Sequence, residues 1–359
     1  MTTSFEQDQA LKIANEIMVQ PTAWKHIVKI IREQKEDLKE FMDPLLKKED
    51  LDLLLIGTQD QGFIASALFP YIDHLHNIRP KALMNVSPNT QLDPNKTTLL
   101  ICFDTEKNDR IEEAMKEADE ICKGNVHYLC IVSNRENALY QAAIKRDNAY
   151  VVVLEKTADF TDQMVATLLC FSLDHFIDAS LKLEDVARRS LHFLNHTSQE
   201  IIDLVRTYAF DHIVYVGMDT FRGIGAEKDD QISEEVAGTL SISEQHKKKT
   251  LYVIFMTYDH AKDQKILLEC VKQLKGHHVL AVCAKHDEGI KENVKYYVDL
   301  GLAHTKNNVF LPFAYLIVAQ TLALFKAIVL DSQQEMSLLS EKINVCKLEY
   351  PTIKKVEYE

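Results

Sequence analysis

Glycine is scarce in this chain, with 10 residues in 359 against a usual share of about 7%. A protein built on several phosphate-cradling loops would carry more, because glycine lets an anion approach the backbone closely. Paired cysteines are absent too. The seven, at 102, 122, 130, 170, 270, 283 and 346, contain no CxxC spacing, which removes the commonest zinc and thiol-redox arrangements. Most sit in apolar runs such as TLLICF and HVLAVCAK, so reduced, buried thiols are expected. Basic residues are outnumbered 41 to 54, for a formal net charge of −13. That argues against nonspecific binding to nucleic acid or to an anionic membrane, both of which need a basic surface. The N-terminal MTTSFEQDQALK has no apolar core, so no secretory signal is read and a cytoplasmic protein is expected. The longest apolar stretch, 309–325, contains Pro312 and Gln320 and is shorter than the roughly 20 residues of a membrane span. A core or interface helix is expected there.

Motifs for cofactors are also missing. The GIG at 223–225 follows a strand pattern but is not a G-x-G-x-x-G with a downstream acid, so no dinucleotide is expected. His74 and His76 are two residues apart on a predicted helix and point to different sides. They, and the adjacent pair His277 and His278, make poor chelates, so no metal is expected.

What the chain does have is alternation. LDLLLIGTQDQGFIASALF, 51–69, reads as a buried strand, a glycine, a short polar turn and a helix. An amphipathic helix is predicted before it at 5–19, ended by Pro21, with Thr22 capping a second helix over 23–41. Strands are predicted at 51–56, 81–86, 97–103, 126–132 and 149–154, and helices at 62–76, 109–122, 135–146 and 160–179. The second half follows the same plan, with strands at 213–216, 250–256, 279–283 and 296–298 and helices at 222–236, 260–274 and 310–329. Charged helical segments within 183–207 join the halves. The repeat is visible in the letters: LDLLLIGTQDQGFIAS parallels FDHIVYVGMDTFRGIG, and KTTLLICFDTEKND parallels KKTLYVIFMTYDHAKD. Alternating strands and helices mean parallel sheets covered on both faces. The expected fold class is therefore α/β, two tandem α/β sandwiches after an N-terminal helical segment. The expected boundaries are N-terminal helices over 1–45, a first domain over 46–182, linking helices over 183–210, a second domain over 211–335 and a tail over 336–359.

The pattern resembles double sugar-isomerase (SIS) domain proteins, in particular the branch of tagatose-6-phosphate ketose/aldose isomerases and sugar-phosphate deaminases. The residues that carry it are PTAWKHIVKIIREQKEDLKEFMDPLL, IGTQDQGFIASALFPYI, CIVSNRENAL, VYVGMDTFRGIGAEK and LIVAQTLALFKAIVLD, spread over nearly the whole chain. The resemblance implies a sugar-phosphate ligand, no cofactor, and a dimer with itself or with a related SIS protein. It places ligand-binding positions at Gly57, Thr58, Asp60, Gln61, Thr105, Lys107, Thr161, Gln163 and Glu227. It also places a carboxylate base at Glu234, with His246 the only histidine in the interval where the family opens the sugar ring.

Against that pattern, the site letters differ. The family's G-x-G-T-S corner is here Gly57, Thr58, Gln59, Asp60, Gln61, and its serine-rich loop is Cys102 to Asp109. Its T-S-S-F-T segment is Thr161, Asp162, Gln163, Met164, Val165, and no HGP occurs. The family's E-x-A-L-K-x-x-E keeps Glu227 and Glu234 but has Gln231 for the lysine. A phosphate carries about −1.5 to −2 charges near neutral pH, and Asp60, Glu106, Asp109 and Asp162 crowd its place. Unit charges 4 Å apart repel by ~1 kcal/mol in water and ~4 kcal/mol at an effective dielectric of 20. A helix N-terminus returns only about 0.3–2 kcal/mol. The expectation is a carbohydrate-binding relative whose isomerase chemistry is impaired, with a ligand-binding or regulatory role. The alternatives are an active isomerase or deaminase using Glu234, and a structural partner of an intact paralogue.

Overall fold

The structure, a computed structural model, describes residues 3–57, 59–84, 91–104, 110–154, 160–210, 212–217, 221, 250–258, 261–303 and 308–331. The chain divides into two compact units, one of Thr22–Leu183 and one of Met1–Pro21 with Glu184–Glu359. We call these the first and second unit.

The chain begins with α1, Thr3–Glu33, which runs straight through Pro21. The expected break there is wrong. A proline inside a helix removes a hydrogen bond and costs about 3 kcal/mol. Here Ile13, Ile17, Gln20, Trp24, Ile27, Val28 and Ile31 form one buried stripe on both sides of Pro21, and that burial outweighs the loss. The interruption comes instead at Gln34, whose N–H reaches back to the Ile31 carbonyl, and α2 follows at Lys35–Leu46.

The first unit is built on five strands: β1 (Leu51–Gly57), β2 (Lys81–Met84), β3 (Thr97–Phe103), β4 (Val126–Val132) and β5 (Ala149–Val153). All are parallel, in the order β2-β1-β3-β4-β5. Every residue of β3 is buried, as a central strand covered on both faces must be. On one face, Leu54, Leu100, Cys102, Tyr128 and Cys130 pack against Met115 of α4 (Arg110–Cys122) and Leu139 of α5 (Ala138–Ala143). The helix α5 is shorter than the 135–146 expected. Asn137 accepts from the Leu139 N–H and fixes its start.

On the opposite face lie α3 (Gln59–His76) and α6 (Phe160–Phe171), packed on each other. They are tied at one end by Tyr71 Oη and Ser172 Oγ, 3.1 Å apart, and by the His76 Nε2 contact with the Phe171 carbonyl at 2.8 Å. The 160–179 helix of the sequence reading ends at Phe171. Ser172 Oγ bonds back to the Leu168 carbonyl, a local bond that competes with helix continuation. A 3-10 turn, Leu173–His175, leads into α7, Phe176–His192, and then a π turn and α8, Ser198–Thr207.

The second unit has β6 (His212–Val216), β7 (Thr250–Phe255), β8 (His278–Cys283) and β9 (Tyr296–Asp299), all parallel and in that order. Tyr252, Ile254, Val279 and Ala281 pack against Leu267 and Val271 of α9 (Ala261–Gln273) and Ile290 of α10 (Glu288–Lys291). The last helix, α11 (Leu311–Asp331), packs on α8. Its residues from Leu311 to Ala319 are all buried; the apolar stretch is a core helix. Among the described residues no single helix is long and apolar enough to cross a membrane.

In chain order β6, β7, β8 and β9 repeat β1, β3, β4 and β5, with α9, α10 and α11 repeating α4, α5 and α6. The hydrogen bonds set the alignment: Asp104 N donates to the Ile131 carbonyl in the first unit, and Met256 N to the Val282 carbonyl in the second. The helix expected over 222–236 lies outside the described residues.

Gly217, which ends β6 as Gly57 ends β1, leaves no room for a side chain. A Cβ there would lie 2.6 Å from Phe221 Cβ. Gly217→Ala is expected to lower unfolding free energy by about 1–3 kcal/mol, read from urea denaturation. An unchanged midpoint would show that Phe221 moves aside freely.

Candidate functional site

The strand order of the first sheet reverses between β1 and β3. In open parallel sheets this switch point opens a crevice beyond the carboxyl ends of the strands, where ligands bind. Gly57 ends β1 there, and α3 begins two residues later. Asp104 follows β3, Ser133 follows β4, and the N-terminal turn of α6 brings Thr161, Asp162 and Gln163.

These groups are already joined to one another. Asp104 is 9% exposed. Its Oδ2 accepts from the Ser133 backbone N–H at 2.7 Å and from the Ser133 hydroxyl. Bonds to an ionised acceptor are the stronger kind, and they offset the cost of burying the charge. Gln163 Nε2 donates to the Asp104 carbonyl at 3.3 Å, fastening α6 to the end of β3. Thr161 Oγ1 accepts from the indole N–H of Trp24 at 3.0 Å, and both side chains are fully buried. Asp162, also buried, lies in the first turn of α6, where a negative charge is favoured by the helix dipole.

The repeat supplies an internal comparison. By the alignment above, Met256 and Ala284 stand in the second unit where Asp104 and Ser133 stand in the first. There the carbonyl of Met256 still receives a bond, from Tyr315 Oη at 2.9 Å. The tie from the last helix to the strand end therefore belongs to the fold. The carboxylate with its serine does not; it is particular to the first crevice.

Of the positions singled out from sequence, Gly57, Thr161 and Gln163 reach this edge. Asp60 and Gln61 fall in the first turn of α3. Thr58, Thr105, Lys107, Glu227, Glu234 and His246 lie outside the described residues. Asp104, Ser133 and Trp24 were missed. Their signal was faint but present: an acid one residue past one strand, a serine one residue past the next, and the chain's single tryptophan.

The buried Cys130 thiol is poorly suited to nucleophilic attack. Cys130 faces Cys102 across β3 and β4. That neighbour, and then burial, hold the Cys130 thiol well above its usual range. Among the described residues no group of three or more His, Cys, Asp or Glu side chains is arranged to hold a metal.

No family profile matches the chain. It is similar to the D-galactosamine-6-phosphate deaminase AgaS of Escherichia coli, 26% identical over 365 residues with 92% of each chain covered. Among solved structures, a Clostridium novyi NT protein assigned as a tagatose-6-phosphate ketose/aldose isomerase superposes with a TM-score of 0.77, at 22% identity, covering 90% of this chain and 91% of that one. The tagatose-6-phosphate ketose/aldose isomerase of Escherichia coli gives 0.71 at 23% identity, covering 89% and 93%. The chain has the tandem sugar-isomerase (SIS) fold. Within that fold, Asp104 stands at the end of β3, a strand that flanks the first sheet's switch point, with its carboxylate bound by Ser133.

Asp104→Ala would leave the Ser133 N–H and hydroxyl without their acceptor. It is expected to lower unfolding free energy by about 1–3 kcal/mol. Ser133→Ala, which keeps the backbone bond, should lower it by less, about 0.5–1.5 kcal/mol. Urea denaturation of both variants checks the order; equal or reversed losses would contradict it.

Proposed function

We propose that the chain binds a carbohydrate derivative at the crevice beyond β1 and β3, and that this crevice does not hold a sugar phosphate tightly. The observation that carries the reading is Asp104, a buried carboxylate already bound by Ser133. A carboxylate accepts hydrogen bonds and cannot donate them to a phosphate. It also repels one, by about 4 kcal/mol for unit charges 4 Å apart at an effective dielectric of 20. Two donors at this edge are engaged elsewhere: Trp24 bonds to Thr161, and Gln163 bonds to the Asp104 carbonyl. In this reading the acids replace the anion structurally, and sugar-phosphate isomerisation or deamination is impaired. The remaining role is ligand binding or regulation.

A second reading is favoured by similarity along 92% of the chain to a galactosamine-6-phosphate deaminase. In it, the chain is an active phosphosugar isomerase or deaminase with Glu234 as the base and His246 opening the ring.

Calorimetric titration separates the two. The probes are galactosamine 6-phosphate, glucose 6-phosphate and their unphosphorylated sugars. The first reading expects the phosphate to add less than about tenfold in affinity, equivalent to 1.4 kcal/mol, and Asp104→Asn to raise that increment. Micromolar binding of a hexose 6-phosphate by the wild type, with ammonia or ketose released, would establish the second reading instead.

A further inference from the structure

Arg189 lies in the last turn of α7, in the second unit. Its guanidinium rests on Gly301, two residues past β9. A Cβ at Gly301 would lie 2.9 Å from Arg189 Nη1 and 3.2 Å from Cζ. Gly301 also has φ +66°, a conformation that glycine adopts without strain. Both the backbone and the missing side chain at this position make space for the guanidinium.

Among the described residues that guanidinium has no hydrogen-bond or ion-pair partner. Its Nε is buried without a hydrogen bond, and Arg189 forms no ion pair among the described residues. Other arginines differ. Arg146 binds Asp119 at 3.1 Å and the Ala142 carbonyl at 2.7 Å, and Arg188 pairs with Asp185. The acids around the end of β9 are engaged with other groups. Asp299 Oδ1 accepts from the Gly301 N–H at 2.8 Å, and Asp299 Oδ2 faces His286 Nδ1 at 3.8 Å. Glu288 is bound to His286 at 2.6 Å. A guanidinium offers five donors in a planar fork that suits carboxylate and phosphate oxygens. Burying part of it with none of them used is unfavourable.

We propose that Arg189, held against Gly301, binds an oxyanion of a small ligand, a carboxylate or phosphate, at the carboxyl-end edge of the second sheet. The inference does not rest on the reading of the first crevice.

The test is thermal unfolding of the full chain with increasing inorganic phosphate, and separately with acetate. Phosphate is expected to raise the Tm of the wild type by about 2 °C or more at saturation. In Arg189→Met that increment should shrink to the general salt effect, Arg189→Lys should retain part of it, and Gly301→Ala should lose it by displacing the guanidinium. A larger increment with phosphate assigns a phosphate, and a comparable one with acetate assigns any oxyanion; either supports the proposal. Arg189→Met leaves Asp104 and Ser133 in place, so loss of the increment in that variant separates this inference from the first-crevice reading. Without added anion, Arg189→Met should unfold no earlier than the wild type. Equal increments in wild type and Arg189→Met would overturn the proposal. So would an Arg189→Met protein that is markedly less stable in anion-free buffer, since the charge would then have a partner within the protein.

Discussion

Every residue of β3 is buried, and so is every residue of β7. A strand enclosed on both faces can satisfy its backbone only through neighbouring strands, and its side chains only through helices above and below the sheet. Much of the rest of each unit follows from that. Parallel neighbours require crossovers, the crossovers are helices, and the carboxyl ends of the strands collect at one edge. In the first unit the order β2-β1-β3-β4-β5 then fixes where the crevice opens.

The two units show what this architecture requires and what it leaves free. Both need a bond from the last helix to the carbonyl that follows the central strand. Gln163 makes it in one and Tyr315 in the other. The residue bearing that carbonyl is free to vary, and it is Asp104 in one unit and Met256 in the other. A charged group at a position where the repeat tolerates an apolar one is not explained by packing. In the proposed reading it changes the electrostatics of the crevice, and so the ligands that can enter. Its bonds occupy the backbone N–H and the hydroxyl of Ser133.

Much of the fold was legible in the sequence because strand burial writes itself as continuous apolar runs. TTLLICF and VHYLCIV were located to the residue, and the repeat showed that the second half followed the first. The failures were places where local rules lost to tertiary packing. Pro21 sits inside a helix whose buried stripe continues on both sides, so the proline rule did not decide the outcome. Ser172 ended a helix that hydrophobicity alone would have prolonged, through a side-chain bond that periodicity does not register. The site was less legible. Aligning letters to a motif identified Thr161 and Gln163 as hydroxyl and amide positions, but not that Trp24 and Asp104 would claim them from far along the chain. Asp104 and Ser133 lie 29 residues apart and meet only because β3 and β4 are neighbours.

The central claim is that the Ser133 N–H is held by the protein's own carboxylate and is not open to a ligand anion. Amide hydrogen exchange at Ser133, followed by NMR, tests it directly. The account predicts slow exchange in the ligand-free protein, faster exchange in Asp104→Ala, and no added protection when a hexose 6-phosphate is present. Rapid exchange in the free wild type that becomes protected on adding the sugar phosphate would contradict it.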